Sequence, residues 1–119
     1  MMRTTGVERM IRQYGTQVWI QKNEENAPWL PEKAMIQPLR YKNKMYLKGS
    51  LLESGFLDGG HYLYIGPCTI RMDQYPMHTR VRTSEQEYVV QRAEAVWVQQ
   101  APVYVWAILQ KYVPDEEET

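Results

Sequence analysis

The sequence predicts a mainly β fold, a small barrel or sandwich with one short N-terminal helix and one long inserted loop. Three observations carry this expectation. From residue 16 onward, apolar side chains recur at every second position rather than at helical spacing. Turn-forming groups punctuate those stretches at close intervals: Asn23–Pro28, Gly59-Gly60, Gly66-Pro67 and Ser84–Gln86. The stretch 103–112 is apolar on both faces, as a strand covered on both sides would be. A chain of 119 residues suits one domain over 1–119, with a single core.

Val7, Met10, Ile11 and Tyr14 fall at i, i+3, i+4 and i+7, one face of a helix over about 5–14. Thr5 and Glu8 form a capping-box pattern, and Gly15 supplies a stop. So short a helix is marginal alone, so its stripe must dock on the domain or on a neighbour. These four residues are read as a docking face that the β body does not need in order to fold. Thr16–Lys22 then reads as a strand with Val18 and Ile20 on one side, ended by the polar turn Asn23–Pro28. Lys33–Pro38 reads as a second strand, and Pro38 marks its end or a sheet edge.

His61–Ile65 is a strand between glycine-bearing turns, and Cys68, Ile70 and Met72 continue the alternation. Thr79–Thr83 pairs with Glu87–Arg92 through Ser84–Gln86. Ala93–Val98 pairs with Val103–Tyr112 through Gln99–Pro102. Val89, Val96, Val105 and Leu109 are expected to be buried, because they lie on apolar strand faces. Asp115–Glu118, after Pro114, reads as a solvated acidic end.

Fourteen basic and fourteen acidic side chains cancel, which excludes a polycation that holds nucleic acid by counterion release over its whole surface. Four Trp and nine Tyr exclude wholesale disorder. One cysteine, Cys68, permits no intrachain disulfide and no multi-cysteine zinc site, and it fits a reducing compartment. No apolar run approaches the ~20 residues of a membrane span. Arg3, Arg9 and Arg12 stand without the apolar segment of a secretory signal.

Chemistry-bearing patterns are sparse. His61, Cys68, Asp73 and His78 are irregularly spaced, with no tight ligand pair to anchor a metal. Cys68 follows Pro67 on the apolar side of a strand pattern, where a small buried hydrophobe is the commoner role than a nucleophile. Gly55–Gly60 lacks both the Gly-Lys-Ser/Thr ending and the following helix of a phosphate loop. No catalytic residue, cofactor or metal site follows, and an enzyme is the weakest class. Arg80 and Arg82 share one strand face, where they balance Glu85, Glu87 and Glu94.

The basic stretch is more distinctive. Lys33, Arg40, Lys42, Lys44 and Lys48 run without an acid until Glu53, with Tyr41 and Tyr46 interleaved. That combination suits a loop tracking a nucleic-acid backbone, and equally a solvated face. The segment 40–60 is an excursion of a length that is usually functional, disordered or wrongly assigned. Its glycines and lysines disfavour a fixed fold, whereas Leu51, Leu52, Phe56 and Leu57 suit poorly a loop meant to stay in water. The mixture predicts a segment that is mobile in the free protein and packs against its copies around an axis. A hairpin pinned to the body by those leucines is the plainer alternative.

Four phrases carry a resemblance: P-L-R-Y-K-N-K at 38–44, G-x-L-D-G-G-H-Y-L-Y-I-G-P at 55–67, Y-V-V-Q-R-A-E-A-V-W-V at 88–98 and P-V-Y-V-W-A-I-L at 102–109. Over roughly 7–113 the chain resembles the head-closure, or stopper, proteins of tailed-phage head–tail connectors. It looks closest to those of PBSX-type defective prophages that follow the major capsid protein. The resemblance implies a small β-barrel with an N-terminal helix and a long inserted loop. It implies a virion protein, assembled in the host cytoplasm, that forms a ring below the portal and adaptor. Such a ring closes the DNA channel and joins head to tail. It transfers no catalytic motif and no cofactor. Arg40, Lys42, Lys44 and Lys48 become the expected channel-facing, DNA-facing positions. Val7, Met10, Ile11 and Tyr14 become a docking surface for adaptor or tail. The contrasting expectation is a small barrel that binds nucleic acid through the same basic loop.

Overall fold

The computed structural model describes residues 6–39 and 60–113. Its elements are α1 (Gly6–Tyr14), β1 (Thr16–Gln21), β2 (Trp29–Pro38), β3 (His61–Pro67), β4 (Arg80–Arg82), β5 (Glu87–Val98) and β6 (Ala101–Lys111). A 3-10 turn, Met72–Gln74, lies between β3 and β4. The strands form a closed circuit, β1–β2–β3–β6–β5–β4 and back to β1, with every pairing antiparallel. The protein is thus mainly β, a six-stranded barrel with one short helix. The expected inserted loop and the acidic run Asp115–Glu118 lie outside the described residues.

Alternation sorts each strand into an inner and an outer face. Val18 and Ile20 of β1, Val81 of β4, and Val105, Ala107 and Leu109 of β6 are fully enclosed. Tyr64 of β3 is the largest side chain sealed inside. Small residues make room for it. Ala107 is its register partner on β6, and a Cβ added at Gly66, two positions along the same face, would stand 2.7 Å from Tyr64 Cζ.

Two expected core positions were misplaced. Val105 and Leu109 are buried, but Val89 and Val96 are only half-buried and face outward. Val89 lies between the inward-facing Tyr88 and Val90 and so points out, whereas Val96 is turned outward by a β-bulge. Tyr88 and Val90 point inward before it; Val90 then pairs with Leu109 and Arg92 with Ile108, leaving Gln91 as the extra residue. One extra residue inverts the alternation, so Ala93 and Ala95 are the inward pair beyond it. The hairpin turn is also tighter than expected, since Val98 pairs with Ala101 across Gln99-Gln100. Gln99 takes a positive φ of 62° there.

Residues 68–73 do not continue β3 as a strand. Cys68 and Thr69 turn, and the chain enters the 3-10 turn. Ile70 and Met72 are buried all the same, because the 68–79 connector lays them on the core. The second strand is longer than Lys33–Pro38 and begins at Trp29. Pro31 is tolerated within it because β2 pairs only with β1 at that level; its pairing with β3 begins at Met35.

Gly15 ends α1 with its N–H on the Ile11 carbonyl at 2.8 Å. The helix packs on β2 and β3 through buried Ile11. Val7 is half-buried, whereas Met10 and Tyr14 remain exposed. The predicted stripe is therefore divided: part is used on the barrel and part is left open.

Leu109→Ala should destabilise the barrel by about 2–5 kcal/mol, the range for emptying a sealed leucine site. Gly66→Ala should cost about 1–3 kcal/mol by overpacking against Tyr64. Denaturant titration checks both; an unchanged midpoint for Gly66→Ala would refute the close approach.

Candidate interaction surfaces

Of the residues singled out from sequence, Arg40, Lys42, Lys44 and Lys48 lie outside the described residues. What is described is where their segment leaves and rejoins the barrel. The Leu39 N–H donates to the His61 carbonyl at 3.0 Å, and the Lys111 N–H to the Gly60 carbonyl at 3.1 Å. Both ends are therefore held together at one rim, beside the end of β6.

The opposite end of β6 carries the β5–β6 hairpin tip. Pairing with β3 stops at Tyr104, so Ala101–Val103 and their β5 partners extend past β3. Trp97 and Val98 are 54% and 56% exposed there, a large apolar surface to leave in water. Arg71 stands over the Trp97 ring at 5.5 Å, tying the tip to the connector.

The connector closes the barrel mouth at this same end. Thr69 donates its hydroxyl to Glu32, an acid on the inner face of β2 opposite Val18. Asn23 donates to the Met77 carbonyl at 2.8 Å, joining the β1–β2 turn to the connector. Lys22 lies 4.8 Å from the Tyr75 ring centre. Beneath them, the Tyr64 hydroxyl is buried with no hydrogen-bond partner among the described residues. Burial first, then the Glu32 carboxylate and, once ionised, the Tyr75 phenolate, push its ionisation above the ordinary tyrosine range. The Glu32 position was not legible as interior, because a carboxylate in a strand pattern normally reads as outward-facing.

Arginines of the outer wall and of the connector share a motif. Arg71, Arg80, Arg82 and Arg92 stand over Trp97, Tyr112, Trp29 and Trp106 at 5.5, 3.8, 4.1 and 5.7 Å. Such pairs occur about once per 70–80 residues in proteins, so four arginine pairs in a barrel this small mark a surface theme. Arg71 also pairs with Asp73 at 2.6 Å, Arg92 with Glu94 at 2.8 Å, and Arg80 with Glu87. The hydrogen bond from Arg71 holds the Asp73 carboxyl below its ordinary range. Of the expected balance, Arg80 pairs with Glu87, whereas Arg82 has no ion pair among the described residues and stands over the Trp29 ring.

The imagined metal set does not assemble. No group of three or more His, Cys, Asp or Glu residues suited to a metal occurs among the described residues. His61 starts β3, while His78 sits in a turn with φ 66°. Burial pushes the Cys68 thiol up, against a partial lowering by Arg71, the opposite direction to the lowering that activates a thiol. No family model, curated protein or solved structure matches the chain.

Tyr64→Phe removes a hydroxyl that is buried and unpaired, and should raise stability by about 1–3 kcal/mol. A loss of stability would show that the hydroxyl has a partner. The folded state favours neutral Tyr64, so its contribution is intact below the unfolded tyrosine pKa of about 10 and fades as pH rises through the folded value. Alkaline spectrophotometric titration should show a tyrosine that ionises only with unfolding, and Tyr64→Phe should abolish that delayed step.

Proposed function

We propose that the protein is a structural component of a tailed-phage or prophage particle, a head–tail connector barrel that helps close the DNA channel and joins head to tail. One observation supports this reading more than any other. The root of the basic insertion and the exposed Trp97–Val98 tip lie at opposite ends of β6, and the closed barrel holds them at a fixed separation. Eleven residues of strand span about 35 Å at ~3.3 Å each. A rigid spacer with a different surface at each end suits a layer between two rings. The resemblance of 38–44, 55–67, 88–98 and 102–109 to stopper proteins supplies the class of assembly. In this reading α1 offers Met10 and Tyr14 to the adaptor or tail, and Arg40, Lys42, Lys44 and Lys48 face the channel.

Particles assembled without the chain should fill with DNA yet leak it and fail to acquire tails. Tailed, DNA-retaining particles lacking the chain would overturn the proposal. Changing Lys42, Lys44 and Lys48 together to Gln should increase leakage without unfolding the barrel. Submicromolar, salt-sensitive DNA binding by the isolated chain would instead favour a nucleic-acid-binding module.

A further inference from the structure

One wall of the barrel carries cations and aromatic rings but no acid. Burial of Val18 and Ile20 on β1, Ala34 on β2 and Val81 on β4 turns the residues between them outward. Where these three strands pair, the outward positions are Trp29, Pro31 and Lys33 of β2, Trp19 of β1, and Arg80 and Arg82 of β4. The remaining outward side chains of β1 are glutamines. Arg80 is neutralised by Glu87 of β5. Arg82 and Lys33 form no ion pair among the described residues, and Arg82 stands 4.1 Å from the Trp29 ring centre.

We propose that this wall docks an acidic segment of a partner protein, with Arg82 on Trp29 as the seat for a carboxylate and Lys33 as a second contact. The molecule itself supplies the precedent. Arg71, Arg80 and Arg92 each stand over an aromatic ring and each hold a carboxylate, respectively Asp73, Glu87 and Glu94. Arg82 repeats the ring half of that arrangement without the acid. A guanidinium lying on a ring keeps its N–H donors at its edge, a fork that matches a carboxylate through two hydrogen bonds. Trp19 is the register partner of Arg82 on one side and of Pro31 on the other, and both tryptophans of the wall are half-buried. These apolar groups reduce the water beside the cation, so an arriving carboxylate is screened less than on an open surface.

Charge selects the occupant. The outward positions of the paired strands offer a carboxylate two unpaired cations and no like charge to repel it. Single-stranded nucleic acid, the other extended polyanion, binds by stacking its bases on open ring faces. Here Arg82 occupies a face of Trp29. An acidic peptide needs only the guanidinium edge, and an apolar side chain next to its acid finds cover on Trp19 and Pro31. This docking is independent of whether the barrel belongs to a particle.

The test titrates the full-length, 15N-labelled chain with the synthetic peptide Glu-Glu-Trp-Glu-Glu, with its glutamine analogue Gln-Gln-Trp-Gln-Gln, and with hexathymidylate. The acidic peptide should move the Arg82 Nε–H and Trp29 indole N–H signals saturably, leave those of Arg71 and Arg92 in place, and outbind the other two probes. Arg82→Gln should weaken it about tenfold, and Arg82→Lys, which keeps the charge but loses the fork, by less. Lys33→Gln, an exposed change away from the β1–β4 seam, should weaken it about twofold to fivefold and needs no change at Arg82. Arg82 and Trp29 signals indifferent to the acidic peptide, or moved equally by the glutamine analogue, would overturn the proposal. Tighter binding of hexathymidylate would overturn it in favour of nucleic acid. Signals that move with protein concentration alone would overturn it too, because the occupant would then be a second copy.

Discussion

Three residue pairs close the barrel: Trp19 with Arg82, Ile20 with Val81 and Gln21 with Arg80. Every other pairing joins strands through longer ladders or direct hairpins. Without this seam β1 and β4 are both free edges, and the fully buried Ile20 and Val81 lose their cover. Threonines stiffen both ends of the three-residue β4. The Thr79 hydroxyl donates to the Pro76 carbonyl at 2.8 Å, and its carbonyl accepts from Val90 N–H at 2.8 Å. At the other end, Thr83 Oγ1 accepts the N–H groups of Glu85 and Gln86 at 3.2 and 3.1 Å. A strand too short to hold itself is held by its flanking turns.

The outer wall reinforces the same region. Arg82 on β4 reaches across β1 to Trp29 on β2, and Arg80 joins Glu87 on β5 to Tyr112 beyond β6. Each surface ion pair contributes little by itself, about 0–1 kcal/mol. A cation on a ring adds about 0.5–1 kcal/mol at an exposed site. Their value here is geometric, since the contacts cross strand boundaries at the seam. At the other rim, Thr69 on Glu32 and Asn23 on Met77 hold the connector over the mouth. The rigid part of the molecule is thus a closed tube whose two ends carry different surfaces.

Much of this architecture was legible in the sequence. The helix, the strand at His61 and both C-terminal hairpins follow from spacing and turn residues, because local rules govern them. The faces of β5 beyond Gln91 were not legible, because that bulged residue inverts the pattern and nothing in the residue itself announces the bulge. Ile70 and Met72 alternate like a strand, yet bury as plugs of a connector, since two apolar residues two apart satisfy either geometry. The split stripe of α1 shows the same limit: periodicity identified a face but not how much of it the barrel uses. Glu32 shares the inner face of β2 through its register with Val18, and its hydroxyl partner lies 37 positions away, so neither was visible in the local pattern. Trp29 and Arg82 are brought together only by barrel closure, so their stacking could not be read from either segment alone.

Native-state hydrogen exchange across the seam tests the closed barrel most directly. The hydrogen-bonded amides within Trp19–Gln21 and Arg80–Arg82 should exchange only through global opening, with the same denaturant dependence as those pairing β3 with β6. Exchange of the seam amides at the rate of a frayed edge, while the β3–β6 ladder stays protected, would contradict closure and leave an open sheet in place of the barrel.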